Sequence, residues 1–261
     1  RAGVELKTHS FVKRRYGYGS KERLVLGMID YHDIVGETYE SSCFISKSRR
    51  ILLISTAYQK NQKLLDSRII LAKLIDLYEL PPVDQQVIKE DWQIILEKVR
   101  SGTAHLISGS DTKYLEACTK GTDGNARVSQ PFSVELARPR AFALKSGYIT
   151  SLMRTYTGDA PPESEVQEVL VDSSQVEDEG FERATLKKCQ PFLGLIIDEI
   201  EFRLGSDVNR GAKGYLAILS RKMFGVDGRH IAEFERAGIT LKTIMVHQNG
   251  YPREHMSFPA F

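Results

Sequence analysis

The chain has 261 residues, 41% of them hydrophobic and 27% charged, the composition of a folded protein with material for one large domain or two modest ones. No apolar run approaches the roughly 20 residues a membrane span requires, and the three cysteines, Cys43, Cys118 and Cys189, lie far apart with no C-x-x-C pair, which excludes a disulfide framework and a zinc clip. With no charged n-region ahead of an apolar stretch, the sequence reads as cytoplasmic.

The first part of the chain reads as mixed α/β. Ala2–Lys7 and Arg23–Tyr31 are strand-like, and Ile51–Tyr58 is a short apolar, β-leaning run. Asp84 is placed to cap a helix whose apolar stripe is Ile88, Trp92, Ile95 and Val99 and which Gly102 stops. A second helix starts near Ser146. Residues 157–182 carry nine acids and no Lys or Arg, and read as an acidic linker. Beyond it, Leu193, Ile196, Ile197, Ile200 and Leu204 form one helical stripe ending at Gly205. Leu216, Leu219 and Met223 form another ending at Gly225. The expected division is therefore 1–156, linker 157–182, and 183–261.

Charge follows this division. The formal net charge is only +2, but setting the nine linker acids aside leaves 36 basic against 25 acidic residues, a net of +11. A basic body interrupted by an acidic stretch fits a polyanionic partner, and also fits a solubilising surface with a charged loop.

A short internal repeat is the most informative feature. Ala2-Gly3-Val4-Glu5-Leu6-Lys7-Thr8 matches Ala237-Gly238-Ile239-Thr240-Leu241-Lys242-Thr243 at five of seven positions. Each copy is followed by a basic turn containing Gly and Tyr. Two copies of one domain explain the match, and the long offset then implies that each copy is incomplete, a piece of a longer protein.

The first copy has a chemistry that the second lacks. In a strand Glu5 and Lys7 share one face, while Val4 and Leu6 are expected to point into the core. Glu5 and the Leu6 carbonyl offer oxygens to a hard cation such as Mg²⁺, and Lys7 offers a positive charge for an attacking water or a developing oxyanion. An exposed salt-bridging pair is the alternative for an isolated Glu-x-Lys triplet. Other chemistries have no support: there is no phosphate-binding G-x-x-x-x-G-K-[ST] loop, no G-x-S-x-G elbow, and no H-E-x-x-H among six scattered histidines.

The surrounding motifs carry a family resemblance. Gly3-Val4-Glu5-Leu6-Lys7-Thr8, Ser20–Leu26, Asp91-Trp92-Gln93, Cys118–Gly121 and Arg140–Tyr148 are similar to the MutH and Sau-three-AI family of GATC-specific endonucleases, over nearly all of residues 1–156. Asn209-Arg210, Lys213-Gly214-Tyr215 and Phe224-Gly225 resemble the beginning of the same family again. The resemblance implies two tandem copies of a PD-(D/E)xK restriction-endonuclease-like core, Mg²⁺-dependent cleavage of double-stranded DNA, and engagement of two GATC sites or dimerisation on DNA. It assigns Glu5 and Lys7 as catalytic, and Glu5 with Leu6 as metal-binding. It places the family's Asp three residues before Arg1.

In the second copy the family's acidic positions and E-x-K hold Arg221, Glu233, Thr240 and Lys242, so the resemblance implies a catalytically dead, DNA-binding regulatory module. Lys13, Arg14 and Arg15, around Tyr16 and Tyr18, read either as a solvated turn or as phosphate contacts. Lys120 matches the family's recognition-loop lysine. Arg127, Arg140 and Lys145 complete the expected DNA-binding set, with Lys145 equally open to a structural role. A nicking relative of MutH and a non-catalytic GATC-binding protein are the competing readings.

Overall fold

The computed structural model describes residues 3–14, 17–59, 61, 63, 66–121, 124–159, 166–167, 181–205, 208–212, 214–227, 230–247, 249–253 and 255. Arg15 and most of the 157–182 linker lie outside these described residues.

Two sheets organise the first part. Strand β1 (Val4–Lys13) runs parallel to β4 (Arg50–Ala57), with Glu5 opposite Ile51, Lys7 opposite Leu53 and His9 opposite Ser55. β4 pairs antiparallel with β5 (Ile69–Asp76), while β2 (Tyr18–Ser20) covers only the Phe11–Lys13 end of β1. A parallel pair needs a long crossover. Here it contains β2, β3 (Leu24–Met28), α1 (Tyr31–Ile34) and α2 (Cys43–Ser48). The second sheet has the order β3, β9 (Arg140–Leu144), β6 (Leu115–Thr119). A small hairpin, β7 (Val128–Gln130) and β8 (Ser133–Ala137), stands apart from both.

Helix α3 (Pro82–Arg100) buries the stripe read from its periodicity, with Ile88, Trp92, Ile95 and Val99 at 2% exposure or less. Its start differs from expectation. Pro81 occupies the cap position and Asp84 is buried inside the first turn, where Tyr148 and Arg236 take its oxygens. Helix α4 (Ser146–Thr157) begins where the sequence placed it and ends on Gly158.

The faces of β1 are the reverse of the expected ones. Val4 and Leu6 are exposed, at 41% and 61%, and Phe11 is fully buried. Glu5, Lys7 and His9 have the same parity as Phe11, so they lie on the inner side. Ile51, Leu53 and Ile75 of the neighbouring strands supply the apolar burial that Val4 and Leu6 were expected to provide.

The remainder is mostly helical: α5 (Phe181–Cys189), α6 (Ile197–Leu204), α7 (Tyr215–Met223) and α8 (Ala232–Ala237). Strand β10 (Val166–Gln167), within the acidic stretch, pairs in parallel with β11 (His230–Ile231). The stripe around α6 is not core: Leu193, Ile196 and Ile197 are 72%, 63% and 41% exposed. Helices α7 and α8 behave differently. Phe224, Val226, Ile231, Phe234 and Ala237 belong to the same buried cluster as Trp92 and Tyr148, so this segment shares the core of residues 1–156. The two segments of the sequence match differ in structure: residues 239–245 form no strand, whereas Val4–Phe11 is paired residue by residue with β4. Among the described residues no helix is long and apolar enough to cross a membrane.

Candidate active site

The site is built on the inner face of β1. Lys7 Nζ lies 3.0 Å from Glu5 Oε1 and donates to the Leu26 carbonyl of β3 at 3.0 Å. The Lys7 side chain stands out from its sheet and so reaches from one sheet to the other. An ammonium has three donors. Two are held by these partners, which fix its direction, and among the described residues no hydrogen bond is found for the third. The Lys7 side chain is 20% exposed and that of Glu5 is 43%, so the pair is braced from within and open to solvent.

The second sheet leads from this site toward the loop that bears Lys120. Two residues beyond Leu26, Met28 aligns with Ala141, which aligns with Cys118; Thr119 and Lys120 follow. Met28 is 55% exposed at this end. On the other side of Lys7, His9 Nε2 sits 2.6 Å from Ser20 Oγ, and Ser20 N donates to Thr150 Oγ1 at 2.8 Å. Burial holds the His9 pKa below its usual value, against the opposing pull of Glu22.

Lys47 of α2 was not singled out from sequence. Its Cδ would stand 3.8 Å from a Cβ built on Gly27, so its chain lies across β3 beside the carbonyl that holds Lys7. The signal was the basic run Lys47-Ser48-Arg49-Arg50 at the end of a short helix. Arg49 and Arg50 are engaged by Asp76 at 3.3 and 3.0 Å, while Lys47 is exposed against β3.

The donor set for a metal is small. Among the described residues no group of three His, Cys, Asp or Glu side chains converges. Glu5 supplies one accessible carboxylate and Leu6 a neighbouring carbonyl. Mg²⁺ commonly binds through one or two carboxylates plus substrate phosphate, keeping several waters, so these donors fit that minimal mode and no dedicated cage.

The expected DNA contacts separate into two groups. Lys13 and Arg14, at the end of β1, are exposed, as are Lys120 and Arg127. Lys120 N donates to Pro139 O at 2.7 Å, which anchors its backbone and leaves the side chain outward. The Arg127 guanidinium donates to Gly124 O at 3.1 Å and Ala126 O at 2.9 Å, folding its loop around itself.

Arg140 and Lys145 are corrections. Arg140 is 8% exposed and donates to the carbonyls of Ala117 and Ile107, so its charge holds the interior together and is out of reach of a phosphate. Lys145 donates to Thr112 O and faces Asp91 and Glu116. Burial lowers its pKa and those acids oppose the shift, which marks an internal ion cluster.

Of the positions expected to form a degenerate second site, Arg221 and Thr240 line one cleft of about 290 Å³ with Glu235 and Leu241. Glu233 is buried in α8 at 5% exposure and Lys242 is exposed.

A strand presenting Glu-x-Lys at the junction of two sheets, flanked by helices, defines a mixed α/β fold of the PD-(D/E)xK restriction-endonuclease-like class. Residues 1–91 match the family model described as DNA mismatch repair enzyme MutH. The chain is 36% identical over 272 residues to the type II restriction enzyme Sau3AI of Staphylococcus aureus, an alignment covering all of this chain and 54% of that protein. It is 25% identical over 155 residues to the DNA mismatch repair protein MutH of Shewanella amazonensis, covering 58% of this chain and 66% of that one. For the MutH of Shewanella oneidensis the identity is 22% over 129 residues, covering 48% and 56%. The chain thus spans about half to two thirds of the length of these relatives, and its similarity to Sau3AI runs along all of it.

Proposed function

We propose that the protein is a type II restriction endonuclease that cleaves both strands of DNA at 5′-GATC by Mg²⁺-dependent phosphodiester hydrolysis. The observation that carries the reading is the Glu5–Lys7 pair, fixed by the Leu26 carbonyl at an open sheet edge. Glu5 and the Leu6 carbonyl would hold the ion, which when bound supplies charge neutralisation and an activated water. Lys7 keeps one donor for a non-bridging phosphate oxygen, where charge grows as the attacking oxygen arrives in line with the leaving group. Lys47 adds a second positive charge beside it. Lys120 and Arg127 are the outward cations at the Met28 end, placed to meet bases or phosphates, and Lys13 and Arg14 meet the backbone at the other end. Residues 183–261 act as a DNA-binding regulatory module that engages a second GATC site. Such an enzyme meets its substrate in the cytoplasm.

The test is digestion of a plasmid with several GATC sites in the presence of Mg²⁺. It compares the 261-residue chain, a version extended to the length of its relatives, and Lys7→Ala in each. Linear fragments ending at GATC that Lys7→Ala abolishes support the proposal. Nicked circles alone would favour a nicking activity. GATC-specific binding without cleavage by either version would assign a regulatory role in place of the nuclease.

A further inference from the structure

The β7–β8 hairpin turns through Pro131 and Phe132, with Gln130 opposite Ser133. Phe132 adopts φ +62, a left-handed conformation that in a two-residue turn favours Gly or Asn and that a bulky residue rarely adopts. Its ring is nevertheless 73% exposed. No burial of the ring offsets the backbone strain, so the gain from an aromatic at this position lies outside the fold.

The tip is also rigid. A Cβ on Gly102, itself at φ +69, would lie 2.5 Å from the Phe132 carbonyl, so the turn is seated directly on the end of α3. Gln130 clamps the base from the inside. Its Oε1 accepts from Ala104 N at 2.8 Å, and its Nε2 donates to Glu135 O at 2.6 Å and lies 3.0 Å from His105 Nδ1. Val134 and Leu136, 95% and 55% exposed, continue an apolar ridge behind the ring. The hairpin follows directly on the loop bearing Lys120 and Arg127, and Arg138 closes its other end. All three cations are exposed. An aromatic held out on a braced finger whose base carries outward cations is complementary to stacked bases whose phosphates lie nearby.

We propose that this hairpin is a DNA wedge, in which Phe132 inserts against a base step next to the site engaged by Lys120 and Arg127. The inference rests on the reading of the protein as a DNA-binding nuclease and adds a specificity element to it: a step that unstacks easily would be favoured even where no side chain reads its edges.

The experiment uses the 261-residue chain and short GATC duplexes carrying 2-aminopurine at successive positions in and beside the site. Binding is followed by gel shift in parallel. The expected result is a several-fold fluorescence rise at one position on binding. Phe132→Ala should still bind, about tenfold more weakly, without that rise. Phe132→Trp gives an independent readout, because the single native tryptophan, Trp92, is buried at 2% exposure. Its added emission should be quenched by the duplex. Binding by the unaltered chain with no rise at any position and no quenching in Phe132→Trp would overturn the wedge and leave the nuclease reading standing. Failure of the unaltered chain to bind any duplex would overturn both. Loss of self-association in Phe132→Ala with its DNA signals unchanged would show a protein-pairing hairpin and also overturn the wedge.

Discussion

The guanidinium of Arg236 lies 3.4 Å from the carboxylate of Asp84, joining α8 to the first turn of α3. Asp84 is 3% exposed at its side chain and Arg236 15%, and Tyr148 Oη donates to the same carboxylate at 3.1 Å. Removing one partner of a buried pair leaves the other charge uncompensated, at a cost of about 3–5 kcal/mol. Arg236→Ala should therefore lower stability by that order in urea denaturation followed by Trp92 emission. Gly147 offers a second test of the contact. A Cβ there would lie 2.7 Å from Glu235 O, so Gly147→Val should force α4 and α8 apart and cost about 1–3 kcal/mol.

Asp91 makes a pH prediction. Burial pushes its carboxyl up to about 6, although the backbone N–H groups of Leu115, Lys113 and Tyr114 favour the charged form. A raised folded pKa means that the folded state binds the proton more tightly than the unfolded state. This contribution is present below about pH 4 and is lost as pH rises to about 6, amounting to about 3 kcal/mol. Subtracting the stability of Asp91→Asn from that of the unaltered protein across pH 3.5–7 should reveal a decline confined to that window.

Arg140 and Lys120 should separate stability from DNA affinity. Arg140→Ala strands two carbonyls and should cost about 3 kcal/mol or more in unfolding experiments. Lys120→Ala should leave stability within about 0.5 kcal/mol. It should weaken duplex binding and lower the slope of log affinity against log salt by about 1.

The two lysines at the site should differ in kind. Lys7→Ala should reduce the cleavage rate by at least about 10²-fold with duplex binding preserved. Lys47→Ala, which removes a charge lying across β3 and no interior contact, should slow cleavage by about tenfold without altering the unfolding midpoint. Single-turnover cleavage against gel-shift affinity distinguishes the two steps.

How much of this could be read from the residues is uneven. The alternation of β1 identifies a strand and pairs Glu5 with Lys7, but alternation by itself does not say which face is inside. The apolar choice, Val4 and Leu6, is the exposed one, and the deciding residue is Phe11, whose parity matches Glu5. The buried face of helix α3 is legible from its 3.6-residue stripe because burial is local to one face, but its start is not, since Asp84 serves an interior pair and not the cap. Arg140 was not, since an arginine inside a strand gives no sign of whether carbonyls 23 and 33 positions away will receive it. The stripe of α6 misled for the opposite reason: periodicity reports amphipathicity, and an amphipathic helix can remain uncovered.

The parallel pairing of β1 with β4 has a consequence during synthesis. Glu5 and Lys7 are synthesised before the residues that position them: the ladder that spaces them needs residues 50–57, and the clamp on Lys7 needs Leu26 seated in a sheet completed by residues 140–144. Non-local pairings of this sort form only after the intervening chain has been made. A nascent polypeptide thus lacks the braced arrangement of Glu5 and Lys7 until residues 140–144 have joined the fold.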